Sequence, residues 1–334
     1  MSITRIAMIG AGRIAHVHAD AYLAMPDVAV VAVVDTDIER AGLLGQRVGA
    51  AAVTDLAEVL ARDDIEAVDI CTPTVFHEEI TVAALKAGKH VCCQKPFSLD
   101  LDSCDRMIAA AKDAQRVLIV PYMSRHAPMT AKVKELLDAG AIGRPVNAHY
   151  HMLCPKTVAL TRWFHDEAMS GGILVDTLTH GVDMFNWYFG EARRVSAFVT
   201  SSGEPKTQDI MEKDDNVAMV VEYASGVVAT MRVSWTATPT FPMVLMDILG
   251  TKGALKLDSP SSAASYHRLV HYTEEGSHGW ESNGRGHYEK QRYFIDVVQG
   301  KVPLTLSNPY DAREALKVTL AGWQSARQGQ VVTI

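Results

Sequence analysis

The chain reads as an α/β protein. An amino-terminal Rossmann domain (a doubly wound parallel sheet) is followed by an α+β domain with a large open, mostly antiparallel sheet. Three observations predict this. Apolar runs alternate with helix-like segments up to Pro121, a glycine turn separates the first run from the first helix, and from Arg194 strands follow one another directly. The expected division is 1–121 for the dinucleotide-binding domain and 122–334 for the substrate-binding and oligomerisation domain.

In the first domain, apolar runs at Ile3–Gly10, Val28–Val34, Ala67–Cys71, His90–Cys93 and Val117–Val120 predict strands. Helices are predicted between them at Arg13–Ala24, Asp37–Val48, Leu56–Ala61, Glu78–Ala87 and Asp102–Ala114. Near-continuous apolar strands in a β–α–β rhythm imply a parallel sheet covered on both faces. In the second domain, helices are predicted over Ala131–Ala139, Gly171–Trp187, Tyr288–Gln299 and Asp311–Arg327. Strands are predicted over Val195–Thr200, Asn216–Tyr223, Val227–Ser234, Met243–Leu249 and Ala254–Leu257. The polar stretches Ser201–Lys213 and Ser259–Gly286 read as loops. A sheet with one helix-covered face leaves the other free for pairing, so a homo-oligomer (dimer or tetramer) through the carboxy-terminal sheet is expected.

The formal charge of −7 and the lack of a basic stripe argue against a nucleic-acid partner. No apolar run is long enough to span a bilayer, and the opening residues leave no room for a secretory signal, so neither a membrane nor export is expected. Five cysteines without metal-ligand spacing read as buried free thiols, which suits a reducing cytoplasm. Metal binding is not expected, because the histidines lack ligand spacing.

The glycine turn, Gly10-Ala11-Gly12-Arg13-Ile14-Ala15, opens the first helix, and Asp35 follows where the second strand stops. Gly10 permits the sharp turn, and Gly12 lets backbone approach a pyrophosphate. The helix N-terminus, at Arg13 and Ile14, offers N–H groups and partial positive charge to phosphate. Asp35 can accept both hydroxyls of an adenosine ribose and repels a 2′-phosphate. NAD is therefore expected over NADP, although Arg40 on the next helix is within reach of a phosphate.

Later motifs complete a candidate site. Thr72-Pro73-Thr74 and His77 follow the third main strand, on the carboxyl side where such sheets bind ligands; Thr74 also suits a helix cap. Gln94-Lys95-Pro96 ends the next strand. Its lysine can hold a substrate hydroxyl and stabilise a developing alkoxide, or lie solvated at the surface. In Gly171-Gly172…Asp176…His180, the acid and the imidazole are four residues apart, hence neighbours on one helical face. They suit proton transfer, or a structural pair in the core. Tyr122, Arg125, His151, Arg162, Trp163 and His165 are candidate substrate contacts. His16 and His18 follow the glycine turn, within reach of a phosphate, but fit a solvated face of the first helix better.

Taken together, these motifs resemble the glucose–fructose oxidoreductase, inositol dehydrogenase and MocA family over essentially the whole chain. The Gly250-Thr251-Lys252-Gly253 turn and the Ser325-Ala326-Arg327 helix end add to the likeness. The resemblance implies a catalytic group of Lys95, Asp176 and His180. In that group His180 takes a hydroxyl proton, Lys95 holds the oxygen, Asp176 orients both, and hydride passes to the nicotinamide. One position departs from the family, since Gln94 stands where a glutamate is usual and Lys95 loses a negative neighbour. The implied activity is NAD-dependent oxidation of a secondary hydroxyl on a sugar, sugar acid or inositol. Two alternatives are an NADP-dependent keto-sugar reductase and a non-catalytic NAD-sensing protein.

Overall fold

The computed structural model describes residues 3–155, 162–202, 205–207, 210–211, 215–238, 244–259, 267–284 and 286–334. The chain forms two compact units, Met1–Met123 with Gly286–Arg313, and Ser124–Arg285 with Glu314–Ile334. The division differs from the one read in chain order at 121/122, because the 286–313 segment belongs to the first unit.

The first unit contains β1 (Thr4–Ile9), α1 (Arg13–Leu23), β2 (Val28–Val34), α2 (Ile38–Val48), β3 (Ala51–Val53) and α3 (Leu56–Leu60). It continues through β4 (Ala67–Ile70), α4 (His77–Lys86), β5 (His90–Cys93), α5 (Leu101–Ala114) and β6 (Leu118–Ile119). The strands pair in parallel in the order β3-β2-β1-β4-β5-β6. β3 escaped the sequence reading because its three residues, Ala51-Ala52-Val53, are mostly exposed at the sheet edge. The core is aliphatic, with Ile6, Met8, Val33, Ala67 and Ile119 buried among the helices.

α9 (His287–Val298) belongs here for a physical reason. It packs on α1, and its Phe294 and Ile295 enter this core. Gln291 donates to the buried carboxylate of Asp69 (2.8 Å), and Arg292 pairs with Asp27 (2.7 Å). Asp69 lies in the middle of the four-residue β4, all of which is buried. A buried carboxylate needs partners, and α9 supplies several.

In the second unit the elements are α6 (Pro128–Asp138), β7 (Pro145–Pro155), α7 (Glu167–Ser170), a π-helical turn over Leu174–Leu178 and α8 (Thr179–Phe189). The strands β8 (Ala192–Thr200), β9 (Pro205–Thr207), β10 (Ile210–Met211), β11 (Asn216–Tyr223), β12 (Val228–Ala237) and β13 (Val244–Gly250) follow. β14 (Ala254–Ser259), β15 (His267–Thr273), β16 (Gly276–Ser282), α10 (Pro309–Gln328) and β17 (Val332–Thr333) complete the chain. Nine strands form one sheet in the order β16-β15-β14-β13-β7-β12-β11-β8-β17, antiparallel throughout except for β7 beside β12.

The polar stretch read as a loop after Ser259 contains the β15–β16 hairpin. Its residues are mostly polar and exposed at the sheet edge, so they carry no apolar alternation. The helix expected over Gly171–Trp187 runs from the π-helical turn straight into α8, and its glycine-rich start, with Gly171 and Gly172 both at positive φ, breaks it from α7. Trp323 of α10 donates to the Gly171 carbonyl (2.9 Å), fixing that break.

β7 alternates strictly. Ala148 and Tyr150 point toward α8, where Tyr150 meets the Phe185 ring edge-on at 6.0 Å, and His149 and His151 point to the other face. α8 approaches this strand closely enough that a Cβ on Gly181 would lie 2.5 Å from the Tyr150 ring. Alanine gains about 1 kcal/mol of helix propensity over glycine, but such overpacking costs about 1–3 kcal/mol against a buried ring. Gly181→Ala is therefore expected to lower the midpoint of thermal unfolding, measured by circular dichroism.

Candidate functional site

The glycine turn in the first unit is built as its sequence requires. Gly10 has φ +93°, and a Cβ there would lie 2.9 Å from the Cys71 carbonyl, so only glycine fits between β1 and β4. Gly12 caps α1 with no side-chain hydrogen bond, leaving the first-turn N–H groups and the positive end of the helix dipole to a ligand. A Cβ on Gly12 would meet nothing within 4 Å. Asp35 ties the turn to the end of β2. Its Oδ2 accepts from Ala11 N (2.8 Å), and its Oδ1 accepts from Asp37 N (2.9 Å) and from Arg40 Nη2 (2.9 Å). Arg40 also pairs with Asp37 at 3.3 Å.

Two loops leave the carboxyl ends of β4 and β5. His77 joins them, with Nδ1 2.9 Å from the Pro96 carbonyl and Nε2 3.0 Å from the Thr72 carbonyl. Burial lowers its pKa, and the two carbonyl contacts oppose that fall. Thr74 opens a short 3₁₀ turn and does not cap α4, whose first residue follows Phe76 without a side-chain cap. The Thr72 hydroxyl is buried with no hydrogen-bond partner among the described residues. Lys95 is half-buried and precedes a cis peptide bond to Pro96, and its N–H donates to Gln94 Oε1 (2.8 Å). His18 is fully buried beside Asp69, contrary to the solvated position expected from sequence, because α1 turns Ala15, His18, Ala19 and Tyr22 inward.

In the second unit the π-helical turn carries Asp176 and Thr177, both buried, and α8 begins just before His180, also buried. Such turns are rare and concentrate at functional positions. Thr177 Oγ1 donates to Asp176 Oδ2 (3.1 Å) and accepts from Trp235 Nε1 (2.9 Å). The indole of Trp235 in turn contacts Phe164 at 5.1 Å and His165 at 5.4 Å, between ring centres. Trp163 stacks edge-on against Phe164. This unit thus gathers Asp176, Thr177, Trp235 and His165 into one connected group.

Residues 4–122 match the oxidoreductase family with an NAD-binding Rossmann fold, and residues 130–256 match the GFO/IDH/MocA C-terminal domain. The chain belongs to the GFO/IDH/MocA oxidoreductase family. It is 27% identical to a myo-inositol 2-dehydrogenase from Thermotoga maritima, over 99% of this chain and 98% of that protein. A levoglucosan dehydrogenase from Pseudarthrobacter phenanthrenivorans is 27% identical over 76% of this chain and 73% of its own. Among solved structures, GenD2 from gentamicin A biosynthesis, in complex with NAD, superposes with a TM-score of 0.86 at 25% identity, covering 100% of this chain and 97% of that one.

The residues present fit the dinucleotide of this family. The uncapped helix end, the space at Gly12 and the unpartnered Thr72 hydroxyl are features that the fold itself does not require. Other expected contacts are used elsewhere. Arg125 makes a buried bidentate ion pair with Asp183 (2.8 and 2.9 Å), which anchors α8. His151 lies on the sheet face away from α8 and so is not gathered with His180. Tyr122 is buried, the Arg162 side chain and residues 156–161 lie outside the described residues, and Trp235 was missed because it reads as one more apolar strand residue.

Two expectations follow. Arg125→Met removes the bidentate partner of the buried Asp183 carboxylate and should cost about 3–5 kcal/mol in denaturant unfolding; a substrate ligand would instead raise KM with stability kept. Burial, aided by Arg232 and His149, depresses the His151 pKa from 6.5 to about 4. Neutral His151 therefore stabilises the fold above pH 6.5, and that contribution is lost as the pH falls toward about 4. His151→Gln should flatten the acid limb of stability against pH.

Proposed function

We propose that this chain is an NAD-dependent dehydrogenase acting on a secondary CH–OH of a sugar, sugar acid or inositol. The observation that carries the cofactor assignment is Asp35, a carboxylate at the end of β2 held by the glycine turn itself (Ala11 N, 2.8 Å). The substrate class rests on the relatives, of which the two named act by name on an inositol and on levoglucosan.

When bound, NAD supplies the hydride acceptor. In this reading His180 takes the hydroxyl proton as the C–H bond gives up its hydride and the carbonyl forms. Lys95 holds the same oxygen and offsets the negative charge that develops on it. Asp176, braced by Thr177, orients the group. A second reading, an NADP-dependent keto-sugar reductase, is favoured by one contact, the Arg40 guanidinium on Asp35, since a cation beside that carboxylate suits a phosphate.

Exposed Phe198, Val220, Val228 and Leu249 share the face of the large sheet turned away from α8, which supports a homo-oligomer through that face. The five cysteines are free and buried, in keeping with a reducing cytoplasm. No helix among the described residues is long and apolar enough to cross a membrane.

The test is NADH and NADPH formation across a panel of inositols, aldoses and sugar acids. Turnover is expected with at least one of these and with NAD preferred. Lys95→Ala is expected to lower kcat by about a hundredfold or more while leaving NAD binding intact. Silence across the panel would remove the substrate class, and unchanged turnover in the variant would remove Lys95.

A further inference from the structure

Beneath the Gln94–Lys95 step lies a buried polar cluster that the reaction above does not use. Asp69 Oδ2 accepts from Tyr22 OH (3.0 Å) and Gln291 Nε2 (2.8 Å), and lies 2.8 Å from His18 Nδ1. On the other side of the imidazole, Nε2 lies 2.7 Å from Lys290 Nζ and 3.4 Å from Gln94 Nε2. The chemistry of the donors fixes the protons. Gln94 Oε1 accepts the Lys95 N–H, so its amide nitrogen must be the atom turned to His18. Both neighbours of His18 Nε2 are then donors sharing its single lone pair, Lys290 the nearer, and the imidazole hydrogen sits on Nδ1 facing Asp69, with Gln291 Nε2 also 3.0 Å from that nitrogen.

The charges agree with this arrangement. Burial lowers the His18 pKa and the Lys290 cation adds to that, with Asp69 opposing, so the ring is neutral. Burial also lowers the Lys290 pKa, with Asp69 opposing and the like charge of Lys95 adding to the fall. At Asp69 burial raises the pKa, but His18 first, then Lys290 and the Tyr22 hydroxyl, outweigh it and hold the carboxyl below its ordinary range. The remaining titratable neighbours, Tyr22, Cys71 and Cys92, are held in their neutral forms by burial. Asp69 and Lys290 thus flank the imidazole, one at each ring nitrogen, and Asp69 opposes the loss of the Lys290 proton. His18, Asp69 and Cys71 could ligate a metal ion by distance alone, but the ammonium already fills the cationic role.

We propose that Lys290 and His18 are positioning residues for Lys95, holding the Gln94 carboxamide so that its oxygen fixes the Lys95 backbone. The proposal rests on the reading of Lys95 as catalytic. It also accounts for glutamine at 94, since a carboxylate there would still accept the Lys95 N–H but could donate nothing to His18. Without the Lys290 cation, His18 takes a proton to balance Asp69. Its Nε2 then carries a hydrogen facing the Gln94 amide, and the carboxamide is pushed away.

The test follows kcat, KM and NAD affinity against pH. Lys290→Met should lower kcat about tenfold at neutral pH and move the low-pH limb of kcat upward by roughly one unit, with NAD affinity unchanged. On a Lys95→Ala background the same substitution should have no further effect on kcat. A folded Lys290→Met enzyme with wild-type kcat and pH profile overturns the proposal, and so does an equal loss with and without Lys95. Wild-type turnover of Lys95→Ala alone overturns the catalytic reading instead. Should Lys290→Met fail to fold, Gln94→Met breaks the same link without stranding a charge, and wild-type kcat there is equally fatal.

Discussion

A carboxylate in the middle of a central strand constrains the first unit more than any other group. Asp69 is fully buried, and leaving it unpaired would cost several kcal/mol. Its partners come from α1 (His18 and Tyr22) and from α9 (Gln291), with Lys290 of α9 reaching it through the imidazole. This demand helps explain why a segment that begins 167 residues after the end of β6 (Ile119 to Gly286) is built into it. Aliphatic packing of Phe294 and Ile295 completes the attachment.

The dinucleotide region shows a second economy of groups. Asp35 uses one oxygen to hold the glycine turn and the other to hold the start of α2 and Arg40. The loop residues divide similarly. His77 joins the ends of β4 and β5 through two carbonyl contacts, while the Thr72 hydroxyl finds no partner among the described residues. A polar group that the fold buries and does not satisfy is what a ligand site leaves behind.

The second unit separates its tasks by sheet face. Strand alternation turns Tyr150, Met231 and Trp235 toward the helices, where Trp235 reaches the π-helical turn through Thr177. The same alternation turns His149, His151 and Phe198 to the opposite face. Arg125, which resembles a substrate ligand when read alone, is bound up in anchoring α8 through Asp183.

Sequence alone determined the Rossmann order, the glycine turn with Asp35, the strand-end lysine and the Asp176…His180 spacing. All of these are local, set by periodicity, small residues and turn chemistry over a few positions. It missed β3, three mostly exposed residues at the sheet edge, and the β15–β16 hairpin, whose polar edge residues carry no apolar period. Only the tertiary structure decided that α9 joins the first unit, that His18 is a buried acceptor and that Arg125 belongs to Asp183. Those outcomes depend on charge pairing between residues far apart in the chain, and a buried charge takes its partner from whatever packing brings within hydrogen-bond reach.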